Sequence, residues 1–114
     1  MMLQTYQEKA ARTSHLHTAP WASPKERLAM AALWLASEAG EVAEEARQVV
    51  GARDEVGYFM AKDRMADELG DLLWMVAECC TLLDINLEDV ARVQLRKQER
   101  RYADLVRLHD TEGE

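Results

Sequence analysis

The chain has 114 residues, a formal net charge of −7, and 48% hydrophobic and 31% charged residues. That length makes a single domain, 1–114, with a modest core of its own. The acidic balance gives no long-range attraction to a phosphate backbone, so a nucleic acid polymer is not an expected partner.

Ala, Leu, Glu and Arg are abundant, and β-branched residues seldom cluster, which argues for helices and against a sheet. Residues 3–13 predict a first helix, with Leu3, Tyr6 and Ala10 at helical spacing. Residues 14–22 (SHLHTAPWA) break that pattern and predict a loop. Ser23-Pro24-Lys25-Glu26 is a helix start: Ser23 as N-cap, Pro24 in the first turn, Glu26 closing a capping box. The second helix then runs to about Val50, where Gly51 stops it.

Residues 51–57 (GARDEVG) predict a hairpin loop, and a third helix covers about 60–83. Asn86 caps a fourth helix with Asp89 at its third position, and that helix reaches about Leu108. The tail DTEGE is expected to fray. Four helices with short connections predict an all-α, antiparallel four-helix bundle, and the apolar content predicts a homo-oligomer, dimer or tetramer.

No signal peptide precedes the helical pattern, and no apolar run reaches the roughly 18 residues of a membrane span. Adjacent Cys79 and Cys80 cannot bridge each other in a helix, and read as reduced, small core residues. A cytoplasmic protein with no membrane partner is expected.

Two acidic motifs stand out, Glu38-Ala-Gly-Glu41 and Glu68-Leu-Gly-Asp71. Each places two carboxylates three apart on one helix face, within apolar sequence (LAMAALWLAS before the first, LLWMVA after the second). The two motifs are nearly equidistant from the loop centred on Asp54, so an antiparallel hairpin sets them level. Charge placed for solubility has no reason to line up in this way. Four carboxylates facing one interior call for a cation. An oxygen-only ligand set selects Mg²⁺, Mn²⁺ or Ca²⁺ over Zn²⁺. The Glu-x-x-His motif of di-iron bundles is absent. Gly40 and Gly70, each costing about 1 kcal/mol in a helix, imply close helix packing or ligand room beside the acids.

These residues carry a family resemblance. SEAGEVAEE followed by DELGDLLWMVA resembles the E-x-x-E … E-x-x-D signature of the MazG-like, all-α nucleoside triphosphate pyrophosphohydrolases. TYQEKAART, LLDINLEDVA and KQERRY resemble the first segment, the step into the last helix and the closing segment of that family. The resemblance spans about residues 4–102. It implies a hydrolase that cleaves a nucleoside triphosphate (NTP or dNTP) to monophosphate and pyrophosphate, removing unwanted nucleotides. It implies Glu38, Glu41, Glu68 and Asp71 as Mg²⁺ ligands, Lys97 and Arg101 as basic residues near the phosphates, and Tyr102 as the aromatic that follows. Gln94 stands where many members have Asn.

The general base is open between Glu45, which shares the stripe of Glu38 and Glu41, and water activated by the metal alone. Trp34, one turn before Glu38, and Trp21 with nearby His17 are candidates for holding the nucleobase, or are core and loop anchors. Trp74 reads as core. Glu78, isolated among apolar residues, is given no role. Two alternatives stand beside this reading. One is a phosphoribosyl-ATP pyrophosphohydrolase-type enzyme of histidine synthesis. The other is a non-catalytic helical interaction module.

Overall fold

The computed structural model describes residues 1–14, 19, 21–103, 105 and 107. The described residues form four helices and no strand: α1 (Leu3–Ala11), α2 (Pro24–Val50), α3 (Glu55–Leu82) and α4 (Leu87–Arg101). Helical backbone recurs at 103, 105 and 107. The all-α bundle expected from the sequence is present. Its centre is the α2–α3 hairpin, with α1 laid against α3 and α4 meeting α1.

The helix starts follow local chemistry. Ser23 Oγ accepts from Glu26 N at 3.1 Å, while Ser23 N donates to Glu26 Oε1 at 3.3 Å, the reciprocal box read from the sequence. Asn86 Oδ1 accepts from the backbone N–H groups of Glu88 and Asp89, as expected of an N-cap. The hairpin differs from expectation. The loop is only Gly51–Asp54, and α3 begins five residues before the expected start at 60. Asp54 is the cause: its Oδ1 accepts from Gly57 N at 2.7 Å and caps the helix. A Cβ on Gly57 would stand 3.1 Å from that oxygen, so glycine here favours the cap and does not extend the loop. α1 ends at Ala11, two residues before the expected boundary.

Two small cores hold the helices. Ala31 and Met75 form one, with Leu35, Trp74, Cys79 and Leu82 packed against it across α2 and α3. Ala77, Cys80 and Leu87 form the other, joined by Leu3, Tyr6 and Ala10 of α1. Burial pushes both Cys79 and Cys80 thiols up, consistent with their reading as reduced core residues. Gln7 ties the α3–α4 corner: its amide donates to Ile85 O at 2.9 Å and its Oε1 accepts from Leu87 N at 2.8 Å. Only the first turn of α4 is pinned in this way. Val90, Val93 and Leu95 farther along it are exposed. The radius of gyration is 18.0 Å, against about 13 Å for a compact chain of this length.

Candidate metal centre and its cleft

The level placement of the two acidic motifs is realised. Carboxylate oxygens of Glu38, Glu41 and Glu68 lie within 4.8 Å of one another, and so do those of Asp67, Glu68 and Asp71. Glu68 belongs to both groups and is their centre. α2 supplies Glu38 and Glu41 and α3 supplies the others, so the site exists only because the hairpin register brings the two helices together.

The electrostatics are those of crowded anions. Hydrogen bonding with Glu41, then burial, then the charges of Glu41 and Glu38 push the Glu68 carboxyl up to about 7 from its ordinary 4.5. Glu38 Oε2 and Glu68 Oε2 are buried and have no hydrogen-bond partner among the described residues. Buried carboxylate oxygens without donors, beside further carboxylates, are what a hard divalent cation would satisfy. The donor set therefore fits Mg²⁺ or Mn²⁺.

A cleft of about 220 Å³ opens beside these acids, lined by Trp34, Glu38, Asp71, Trp74 and Met75. The two indoles meet edge to face, centroids 6.3 Å apart and planes at 63°. Trp34 lies one turn before Glu38, and Trp74 one turn after Asp71. Trp74, read from the sequence as core, thus has two faces: one packs on Met75 and Ala31, the other walls the cleft. Tyr6 of α1 also approaches; burial and then the Asp71 charge push its phenol above its ordinary 10.0. Neither Tyr6 nor Asp67 was singled out as a site residue by the sequence. Asp67, adjacent to Glu68, was legible as a carboxylate but falls outside the three-residue spacing.

A Cβ on Gly40 or Gly70 would meet nothing within 4 Å. Both are exposed, and no close packing among the described residues requires them.

Other candidates lie apart. Glu45 turns to α3, where Arg64 Nε donates to its Oε2 at 3.1 Å; it is not grouped with the carboxylates. Sharing a stripe with Glu38 and Glu41 does not decide its partner, because a cation on the facing helix does. Trp21 is exposed and does not line the cleft. His17 lies outside the described residues. Lys97 lines a different cleft, of about 750 Å³, along α4 with Val90, Val93 and Gln94. Arg101 and Tyr102 follow it, exposed, at the end of α4.

Comparison with known proteins decides the family. Residues 27–106, more than half of the chain, match the MazG nucleotide pyrophosphohydrolase domain. The chain belongs to the MazG family. The matched segment contains all four motif acids and the α2–α3 hairpin that sets them level. A relative, the Gene 37 protein of Mycobacterium phage L5, is 31% identical over 101 residues, covering 89% of each chain. No solved structure gives a significant match. No helix among the described residues is long and apolar enough to cross a membrane.

Proposed function

We propose that this MazG-family protein is a Mg²⁺-dependent nucleoside triphosphate pyrophosphohydrolase, converting an NTP or dNTP to monophosphate and pyrophosphate. The observation that carries the reading is Glu68, shared by two carboxylate groups and bearing a buried oxygen with no donor. Glu38, Glu41, Glu68 and Asp71 would hold the ion. Bound there, it would supply Lewis-acid polarisation of a phosphoryl oxygen and a more acidic water.

The remaining work falls to the chain's own side chains. Trp34 and Trp74 stand one helical turn from the carboxylates, on the two helices that carry them. A nucleoside whose phosphates lie at the acids would rest its base against these indoles. Glu45 would have to leave Arg64 to serve as a base. Lys97, Arg101 and Tyr102 are proposed to meet the phosphates once α4 is packed, and a second copy of the chain is the proposed cover for its exposed apolar residues. The working form is then a cytoplasmic homodimer or homotetramer. A monomer by light scattering at micromolar concentration would overturn the assembly.

The test is a panel of nucleoside and deoxynucleoside triphosphates assayed for pyrophosphate release, with a phosphoribosyl-nucleotide included. Activity should vanish in EDTA and return with Mg²⁺ or Mn²⁺. Nucleoside diphosphate plus orthophosphate as the main products would refute the mechanism. A protein inert to every substrate and showing no metal-dependent rise in melting temperature would be a helical interaction module.

A further inference from the structure

The exit of α1 is fastened to α3 at two points. Trp74 Nε1 donates to Thr13 Oγ1 at 2.8 Å, and Ser14 Oγ donates to Glu78 Oε1 at 2.6 Å. Thr13 and Ser14 are consecutive, while Trp74 and Glu78 are one turn apart on one face of α3. Two bonds at that spacing fix both the position and the rotation of the segment, where one bond would let it pivot. The Thr13 hydroxyl gives its proton to Ala10 O at 2.7 Å, a carbonyl in the last turn of α1, so it faces the indole as an acceptor. The second point is secluded: Ser14 is 7% exposed and Glu78 2%. The segment continues to buried Ala19, whose carbonyl accepts from Arg27 Nη2 at 2.7 Å.

The held indole is the one that meets Trp34 edge to face and walls the cleft beside Glu38 and Asp71. We propose that Thr13 and Ser14 are positioning residues: through Trp74 and Glu78 they fix the indole wall of the acidic cleft, and so set how tightly the nucleoside part of the substrate is held. This rests on the nucleotide reading of the cleft. Neither hydroxyl bonds to the carboxylates of the metal site, so the latch acts on substrate affinity and leaves the chemical step alone.

Thr13→Val keeps the branched shape and removes the acceptor, and Thr13→Ser keeps the acceptor. Ser14→Ala opens the second point. Steady-state kinetics with the best nucleoside triphosphate should show KM raised about five- to twentyfold in Thr13→Val, with kcat within about twofold of wild type. The near-ultraviolet circular dichroism of the Trp34–Trp74 pair should change in parallel. Thr13→Ser should restore both, and Ser14→Ala should shift both as Thr13→Val does. A Thr13→Val protein that only melts earlier, with wild-type KM and tryptophan spectrum, would overturn the latch while leaving the enzyme reading intact. An unchanged KM with a changed spectrum would also overturn it, since the wall would then not hold substrate. A wild-type protein that hydrolyses no nucleotide would instead remove the underlying reading, and the substrate role of the latch with it.

Discussion

Metal binding by this protein should be coupled to a single proton, and Glu68 sets the size of the effect. Its carboxyl is held at about 7 by Glu41, burial and Glu38. About half of the metal-free molecules therefore carry that proton at pH 7, about nine-tenths at pH 6 and about one-tenth at pH 8. A cation that binds ionised carboxylates must expel it, so apparent affinity for Mn²⁺ should fall about tenfold from pH 8 to pH 6. Calorimetric titration in two buffers of different ionisation heat should show about half a proton released per ion at pH 7.

The pH dependence of stability should differ with and without metal: a decline in its absence, offset by the ion in its presence. Between its ordinary 4.5 and about 7, Glu68 is protonated in the folded protein and ionised in the unfolded chain. The stability this gives is complete below 4.5 and lost as pH rises through about 7. In EDTA the melting temperature should carry this decline, whereas the increment given by saturating Mn²⁺ should grow over the same window. Glu41→Gln removes the largest cause of the raised value, so it should flatten the pH dependence even as it weakens binding at pH 8. Equal Mn²⁺ affinity at pH 6 and pH 8, with no proton released, would refute the reasoning.

Other substitutions separate the site from the fold. Asp71→Asn and Glu41→Gln should each cut pyrophosphate release about a hundredfold or more while leaving the EDTA melting temperature unchanged or higher, because each takes one charge from a crowded set. A variant that melts markedly earlier in EDTA yet keeps activity would remove its residue from the metal site. Glu45→Gln should keep kcat within a few-fold and cost about 0–1 kcal/mol, as the loss of a partly exposed ion pair does; a hundredfold loss of kcat would instead make Glu45 the base. Gly70→Ala should stabilise the metal-free protein by about 1 kcal/mol, read in denaturant melts, because its Cβ would meet no neighbour; an earlier melt would show that the helix needs glycine there.

What could be read from the sequence was whatever short range decides. Ser23 and Glu26 are three residues apart and their hydrogen bonds close within one turn, so the start of α2 was legible to the residue. The four acids were legible because their relative height depends only on helix rise and the position of the hairpin. Misreading the loop as 51–57 did not move its centre enough to spoil that register. Failures came where a distant residue decides. Gly57 looked like loop because its pairing with Asp54 depends on a side chain choosing one backbone donor. Glu45 shares the acidic stripe, yet Arg64, nineteen residues on, claims it. Trp74 reads as core by periodicity, and nothing local reveals that Thr13, 61 residues earlier, holds its indole at the mouth of a cleft.

The fourth helix shows the same limit on a larger scale, and it bears on the chemistry. Acids crowd α2 and α3, while Arg92, Arg96, Lys97, Arg100 and Arg101 gather on α4. A polyphosphate approaching the carboxylates is repelled by them unless positive charge stands between or beside. A bound cation meets the first need, and the basic helix is the chain's own source of the second. Yet among the described residues α4 is fastened chiefly at its first turn, by Leu87 in the core and by Gln7. Its Val93 and Leu95 are exposed, and among the described residues the α2–α3 hairpin does not cover them. The apolar demand of α4 and the electrostatic demand of the substrate would therefore be met by one event, the packing of that helix in an assembly. If so, phosphate affinity should depend on protein concentration wherever the assembly dissociates. Activity per chain that stays constant on dilution through the monomer range would separate the two demands and return Lys97 and Arg101 to the solvent.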